Sequence, residues 1–122
     1  MAIPLISVVD DDESVRESLG RLIRSVGFGV EAFASAEEFL NAGPRRAACL
    51  LLDIRMPGMS GLELHHLLAG TDRELPVIFM TAHGSDNDVR TRALAAGAVD
   101  YLLKPLQEDE VLSAIETALS SK

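Results

Sequence analysis

The sequence predicts one α/β domain, a doubly wound sheet of five parallel strands with five helices packed on its two faces. Short apolar runs of strand length alternate with longer segments of helical periodicity. Several of these runs are too uniformly apolar to have a solvent-exposed face, which is typical of parallel strands buried on both sides. No repeat, low-complexity tract or internal linker interrupts the alternation, so residues 1–122 are expected to form one folding unit.

The order of the strands follows from the alternation. Strands joined by helices imply right-handed crossovers, and five such units fit the flavodoxin-like strand order 2-1-3-4-5. In that order the second strand lies at an edge, and the carboxyl ends of the other four strands are neighbours, where ligands are expected to bind. The predicted strands are Leu5 to Val9, Phe28 to Phe33, Ala48 to Leu52, Val77 to Met80 and Val99 to Leu103.

The helices are indicated by apolar residues at steps of three and four and by signals at their ends. Ser35 with Glu38 predicts a capping box for the second helix, and Ser85 with Asp88 a weaker start for the fourth. Asp12 is predicted to cap the first helix. Glycines that could end helices in the left-handed conformation are Gly27, Gly43, Gly70 and Gly97, and the clearest apolar series are Val15, Leu19, Leu22, Ile23 and Val26, and Val111, Leu112, Ile115, Ala118 and Leu119.

Composition and charge argue against several classes of protein. No apolar run approaches the roughly 18 residues of a membrane span, and no basic segment precedes Leu5 as in a signal peptide. We therefore expect a cytoplasmic protein. The formal net charge of −8 argues against direct binding of this chain to nucleic acid, which requires a basic surface. The single cysteine, Cys49, lies in an apolar run and is predicted to be a buried small hydrophobe.

Polar side chains follow four of the predicted strands and are expected to meet in one pocket. Crowded carboxylates repel one another unless a cation intervenes, and Mg²⁺, which prefers oxygen ligands, is the natural candidate. A carboxylate in such a pocket can accept a phosphoryl group when a metal ion, a lysine and a hydrogen-bond donor neutralise the transferred charge. Asp53, on the central strand, is the predicted nucleophile. The residues are Asp10 and Asp11 after the first strand, Asp53 after the third, Thr81 after the fourth and Lys104 after the fifth.

Four separated segments of the chain resemble motifs of response-regulator receiver domains from two-component systems. The resemblance runs essentially end to end, in order and in spacing. It is nearest to receivers of the nitrogen-fixation regulator type, which have similar Arg-Met-Pro, Ser-Gly-Leu-Glu-Leu and Ala-Gly-Ala-Val-Asp strings. The segments are Val9-Asp10-Asp11-Asp12, Leu52-Asp53-Ile54-Arg55-Met56-Pro57-Gly58-Met59-Ser60-Gly61, Thr81-Ala82 and Leu103-Lys104-Pro105.

The resemblance implies roles for the acidic residues. Asp53 would accept a phosphoryl group from a sensor histidine kinase. Asp11, Asp53 and the main-chain carbonyl of Arg55 would bind Mg²⁺, and Asp10 would act on the metal ion through water. The chain would then be a signalling switch more than an enzyme, although it would catalyse its own phosphorylation and dephosphorylation.

The resemblance also implies how the phosphoryl group is held and how the protein changes on phosphorylation. Thr81 and Lys104 would hold its oxygens, and the Lys104–Pro105 bond would be cis. On phosphorylation Thr81 would move toward the phosphoryl group and Tyr101 would turn inward, although a tyrosine at a strand end can also serve packing alone. The changed face of helix 4, strand 5 and helix 5 would favour a homodimer or release an output domain. A C-terminal DNA-binding domain beyond Lys122 that regulates transcription is implied, with residues 1–122 as a fragment of a longer regulator.

Other residues near these motifs are assigned less chemistry. His65 and His66 are adjacent on a helix without a third ligand at a suitable spacing, so both are predicted to be solvated surface. His83 and Arg55 are candidates to border the pocket and affect the lifetime of the phosphoryl group. The residues expected to shape the loop after Asp53 and pack beneath it are Met56, Pro57, Gly58 and Met59.

Three other functions compete with the receiver interpretation. A phosphatase of the haloacid dehalogenase type also uses an aspartate nucleophile and Mg²⁺, but it needs a second acid where this chain has Arg55. A pseudo-receiver that is never phosphorylated is disfavoured by the intact set of acidic residues. A flavodoxin-like cofactor binder is disfavoured because no glycine-rich loop follows Val9.

Overall fold

The computed structural model describes residues 3–42, 47–70, 75–82 and 87–120. Within these residues, five strands alternate with five helices along the chain. The strands are β1 (Leu5–Val9), β2 (Gly29–Phe33), β3 (Ala47–Asp53), β4 (Val77–Thr81) and β5 (Asp100–Leu103). The helices are α1 (Glu13–Ser25), α2 (Ala36–Asn41), α3 (Gly61–Ala69), α4 (Asn87–Ala95) and α5 (Glu108–Ser120).

The five strands form one parallel sheet in the order β2-β1-β3-β4-β5, which confirms the predicted doubly wound, flavodoxin-like arrangement. Val9, Leu52, Phe79 and Tyr101 are partners in one row across β1, β3, β4 and β5. Because this row lies near the carboxyl ends of the four strands, the residues that follow it come out at the same edge of the sheet.

The two faces of the sheet are covered by different helices. Helices α1 and α5 pack on one face, and α2, α3 and α4 pack on the other. Burial on both faces explains why the strand segments are almost continuously apolar. The helix residues buried against the first face are Leu19, Ile23, Val111, Ala114, Ile115 and Ala118, and those against the second are Ala36, Phe39, Leu64 and Ala93.

The observed strands differ from the predicted ones at their ends. Strand β3 continues through Asp53, which pairs with Met80, and β4 continues through Thr81. Backbone pairing does not require an apolar side chain, so a search for apolar runs ends these strands one residue early. Strand β2 begins after Phe28, whose amide instead donates to the carbonyl of Ile23 near the end of α1.

The helix starts agree with most of the predicted caps. Asp12 caps α1, because its side chain accepts a hydrogen bond from the Ser14 amide at 2.9 Å. Ser35 caps α2 by accepting from the Glu38 amide at 3.0 Å. The capping box is incomplete, however, since the Glu38 carboxylate accepts from the Ala34 amide rather than from the Ser35 amide. The complete capping box lies at the start of α3, between Ser60 and Glu63.

The helix ends agree less uniformly. Gly27 and Gly97 have φ angles of 94° and 103°, which confirms left-handed caps after α1 and α4. The same prediction is wrong for Gly70, whose φ is −83°. The Gly70 amide donates to the carbonyl three residues earlier, so α3 ends in a tightened turn that needs no positive φ. Gly43 and Ser85 lie outside the described residues.

The prediction that His65 lies on the solvated surface is wrong, because its side chain is only 8% exposed. The imidazole packs edge to face against Phe79 with 5.2 Å between ring centroids. Burial, followed by the charge of neighbouring His66, lowers the pKa of His65. The apolar body of the ring therefore contributes to the core beneath α3, whereas His66 is exposed as predicted.

Two further expectations can be compared with the fold. Cys49 is completely buried in β3, as predicted from its apolar surroundings. Among the residues that the structure describes, no helix combines the length and apolarity needed to cross a membrane.

Candidate functional site

Three acidic side chains meet at the carboxyl ends of β1 and β3. Asp10 and Asp53 are buried, while Asp11 is exposed. One carboxylate oxygen from each of the three residues lies within 4.8 Å of the others. Oxygens at such separations fit a small divalent cation, since they could approach one ion from one side.

Asp10 is fixed in place by bonds to its main chain and its side chain. Its amide donates to the carbonyl of Phe33 at 3.1 Å, which extends the pairing of β1 with β2. Its Oδ1 accepts from the Asp12 amide at 2.9 Å. Its carbonyl accepts from Nη1 of Arg16 at 2.8 Å. Arg16 is not predictable as a site residue, because nothing in the spacing of a helical arginine reveals a bond to a strand end.

Lys104 supplies the positive charge of the pocket. Its Nζ lies 2.8 Å from Oδ2 of Asp10 and 3.5 Å from Oδ1 of Asp53. In the described part of the chain, this ion pair is the one polar contact of Asp10 Oδ2. Burial by itself lowers the pKa of Lys104, but the bond to Asp10 and the charges of Asp10 and Asp53 outweigh it and raise the pKa above 10.5. The ammonium is therefore fixed and fully charged.

The main chain around Lys104 sets the direction of this side chain. The Lys104 amide donates to the Thr81 carbonyl at 2.7 Å, which ties the end of β5 to the end of β4. The Lys104–Pro105 peptide bond is cis.

The negative charge of the pocket exceeds what one lysine can neutralise. Burial, and next the charge of Asp10, raises the pKa of Asp53 from 3.8 to about 6; Asp11 adds to the effect and Lys104 opposes it. Because the Asp53 carboxyl has a raised pKa and lies beside two other carboxylates, a cation bound there would relieve the repulsion between them. The acidic residues at this edge of the sheet thus fit a divalent metal ion.

Replacing Asp53 with asparagine is expected to stabilise the metal-free fold above about pH 6. In the folded state the pKa of Asp53 is raised from 3.8 to about 6, so the folded protein binds this proton more tightly than the unfolded chain does. The destabilisation by the ionised group is therefore fully present above pH 6 and disappears as the pH falls towards 3.8. A shift of this size corresponds to about 3 kcal/mol, which solvent screening reduces to about 1–2 kcal/mol.

Urea unfolding in EDTA, followed by far-ultraviolet circular dichroism at about pH 8 and about pH 4, measures this difference. Glu17→Gln on the exposed surface of α1 controls for the loss of one acidic group. Equal free energies of unfolding for Asp53→Asn and the unchanged chain at the higher pH would show that the pocket does not disfavour the charge.

Thr81 is the last residue of β4 and Tyr101 the second residue of β5, and both are buried, 2% and 6% exposed. The Tyr101 ring belongs to the apolar cluster on the face of α2, α3 and α4, so it already points inward. Its hydroxyl is buried and has no hydrogen-bond partner in the ranges that the structure describes. The ring is therefore held by packing.

The loop from Ile54 to Ser60 joins β3 to α3 beside the pocket. Its start is tied to β4 by the Ile54 amide, which donates to the Met80 carbonyl at 3.1 Å. Its end returns to its start, since the Gly61 amide donates to the Ile54 carbonyl at 2.9 Å. Met56 is buried and Met59 partly buried beneath the loop, as predicted.

The remaining candidate residues near the pocket are Arg55 and His83. The Arg55 side chain is exposed. His83 lies outside the described residues. The structure thus brings together Asp10, Asp11, Asp53 and Lys104, and places Thr81 at the adjoining strand end.

Comparison with known proteins identifies relatives along nearly the whole chain. Residues 6–116 match the family described as response regulator receiver domain. Response regulator protein TmoT of Ectopseudomonas mendocina is 46% identical over 116 residues, an alignment that covers 94% of this chain and 52% of TmoT. Transcriptional regulatory protein FixJ of Bradyrhizobium diazoefficiens is 41% identical over 115 residues, covering 93% of this chain and 56% of FixJ. The chain spans about half the length of the curated relatives it matches.

Solved structures give the same result. The structure of response regulator StyR superposes with a TM-score of 0.87 at 48% identity and covers 98% of this chain and 60% of the StyR chain. The structure of FixJ-N also superposes with a TM-score of 0.87, at 39% identity, and covers 98% of this chain and 96% of that one. These similarities confirm the expected resemblance to the nitrogen-fixation regulator type. TmoT and StyR are also among the similar proteins.

Proposed function

This chain belongs to the family of response regulator receiver domains of two-component systems, and from that premise we propose that Asp53 accepts a phosphoryl group from a sensor histidine kinase. One observation carries the proposal. The Lys104 ammonium contacts the carboxylates of Asp10 and Asp53, at 2.8 and 3.5 Å, at the carboxyl edge of the central strands. A fixed cation beside a buried carboxylate is the arrangement that phosphoryl transfer to that carboxylate needs.

Asp53 is the nucleophile in this proposal. With a pKa of about 6 its carboxylate is mostly ionised at neutral pH. A carboxylate oxygen bonds to phosphorus while the phosphorus–nitrogen bond of the donor phosphohistidine breaks, and the imidazole leaves with the electron pair of that bond. Lys104 neutralises charge on the phosphoryl oxygens, and the Thr81 hydroxyl donates a hydrogen bond to one of them. Hydrolysis of the resulting acyl phosphate returns the chain to its starting state.

The acidic cluster supports a Mg²⁺ cofactor. Asp11, Asp53 and the main-chain carbonyl of Arg55 are the proposed ligands, and Asp10 acts through a bridging water. Bound at this place, the ion would neutralise negative charge on the transferring group. The support from this chain is the convergence of the three carboxylates and the raised pKa of Asp53.

The output of the switch is proposed to be a changed face of α4, β5 and α5. Contact of Thr81 with the phosphoryl group would favour the packing in which Tyr101 is held inward, as a shift between two populated arrangements. That face would then support a homodimer or release an output domain.

The partners follow from the family and from the lengths of the relatives. We extend the proposal to a cytoplasmic regulator in which residues 1–122 are the receiver domain and a C-terminal DNA-binding domain controls transcription. TmoT and FixJ, which are called regulators, are about twice as long as the matched segment.

An apolar groove between α1 and the start of α5 adjoins the pocket and offers contact area for the kinase. The groove is lined in part by Val15, Leu22, Lys104, Pro105 and Leu106.

A receiver domain and a phosphatase are expected to react differently with a small-molecule phosphoryl donor. Intact mass after incubation with acetyl phosphate should show one phosphoryl adduct that requires Mg²⁺, disappears in EDTA and is absent from Asp53→Asn. Turnover of a phosphate ester without an adduct would favour the phosphatase, and the absence of any reaction would favour a pseudo-receiver.

A further inference from the structure

The loop between β3 and α3 is bonded to α2 as well as to β4. The Met59 amide donates to Oε2 of Glu37 at 3.0 Å, across 22 positions of sequence. Glu37 lies in the first turn of α2, a helix of the same face. The bond therefore joins the loop, one residue before its end at Ser60, to α2, whose buried residues lie in the same apolar cluster as Met56.

The geometry of the loop is adapted to this contact. Gly58 has a φ of 78°, a left-handed conformation that favours glycine. A Cβ atom at residue 58 would lie 2.8 Å from Oε2 of Glu37. The loop backbone therefore packs directly on the carboxylate, and glycine is the residue that allows this approach.

The chemistry of the bond suits a tether. A carboxylate that accepts from a backbone amide forms a charge-assisted hydrogen bond, which is stronger than one between neutral groups. Glu38, the next residue, uses its carboxylate differently and accepts from the Ala34 amide at 3.2 Å, at the start of its own helix. Two adjacent glutamates of α2 thus have separate targets, and only Glu37 of this pair contacts the loop.

From this contact we propose that Glu37 is a positioning residue for the Mg²⁺ site. Arg55 lies in the same short loop, between Ile54, which is bonded to β4, and Met56, which is buried. A tether at Met59 limits how far the loop can move and so holds the Arg55 carbonyl in reach of the acidic cluster. The inference rests on the proposed function, because it needs Mg²⁺ to bind there.

The test measures Mg²⁺ binding to the metal-free chain by titration calorimetry and exchange of the Met59 amide by NMR. Glu37→Ala should raise the Kd for Mg²⁺ roughly threefold to tenfold, at or below the 10- to 100-fold typical of groups that orient metal ligands, because this bond is exposed. The Met59 amide should exchange faster. Glu37→Gln keeps an accepting oxygen and should restore a Kd within about twofold of the original.

Glu38→Ala is the matched control, since it removes the same charge from the same helix without touching the loop. If Glu37→Ala and Glu38→Ala weaken Mg²⁺ binding equally, or if Glu37→Gln is as weak as Glu37→Ala, long-range charge explains the effect and the positioning role is overturned. An unchanged Kd in Glu37→Ala also overturns it. Absence of Mg²⁺ binding to the unchanged chain would instead overturn the proposed metal site, and the inference with it.

Discussion

Replacing Lys104 with alanine is expected to slow Mg²⁺-dependent phosphorylation by acetyl phosphate at least about 100-fold, the cost typical of removing one preorganised group that stabilises a transition-state charge. The Lys104 ammonium lies against Asp10 and Asp53 and has a raised pKa, so it is charged throughout the physiological range. Without it, a doubly negative donor would approach three carboxylates with the metal ion but no lysine to offset their charge.

The rate is measured by intact mass as a function of time at saturating Mg²⁺. Arg21→Ala, an exposed cation of α1, controls for a change of net charge, and circular dichroism checks that Lys104→Ala is folded. The check is needed because the variant leaves Asp10, which is completely buried, without its ion-pair partner. A folded Lys104→Ala that is phosphorylated at the original rate would remove lysine from the mechanism.

Replacing Gly61 with alanine is expected to lower the free energy of unfolding by about 2–4 kcal/mol. A Cβ atom at this position would overlap the carbonyl oxygen of Asp53 and would lie 2.9 Å from Cα of Ile54. Both atoms belong to the backbone, so a change of side-chain rotamer cannot relieve the contact. Either α3 moves away from β3 or the end of β3 is displaced, and with it the proposed acceptor.

Gly70→Ala is the matched control for this effect, because an added Cβ would meet the Leu67 carbonyl at 3.5 Å, an ordinary contact, at a negative φ. Its free energy of unfolding should change by less than about 1 kcal/mol. Urea unfolding of both variants in EDTA separates the two cases. Equal stability of Gly61→Ala and Gly70→Ala would show that the start of α3 tolerates movement.

The fold was predictable because its signals are local and repeated. Apolar runs buried on both faces mark the strands, and the rule that ligands bind at the carboxyl ends of parallel strands selects Asp10, Asp53 and Lys104 for the pocket without knowledge of any distance. These three side chains lie together at that edge of the sheet. Their proposed roles in phosphoryl transfer rest on the resemblance and on the family.

Features that depend on contacts between distant segments were not predictable. The sequence predicts His65 at the surface, because a polar residue beside another polar residue gives no sign that its ring packs on Phe79. The bond from Met59 to Glu37 joins residues whose proximity follows from the packing of α2 against the loop. The capping box at Ser60 is different, since the Ser-Gly-Leu-Glu pattern that forms it is present in the sequence and is a helix-start signal as well as part of the family motif.

The central claim, that Asp53 is the residue that takes the phosphoryl group, is tested most directly by locating the group. After reaction with acetyl phosphate and Mg²⁺, borohydride reduces an aspartyl phosphate to homoserine, and peptide mass spectrometry then finds the altered residue. We predict homoserine at position 53 and at no other aspartate, with none formed in EDTA. A chain that gains a phosphoryl group while residue 53 remains aspartate after reduction would contradict the account.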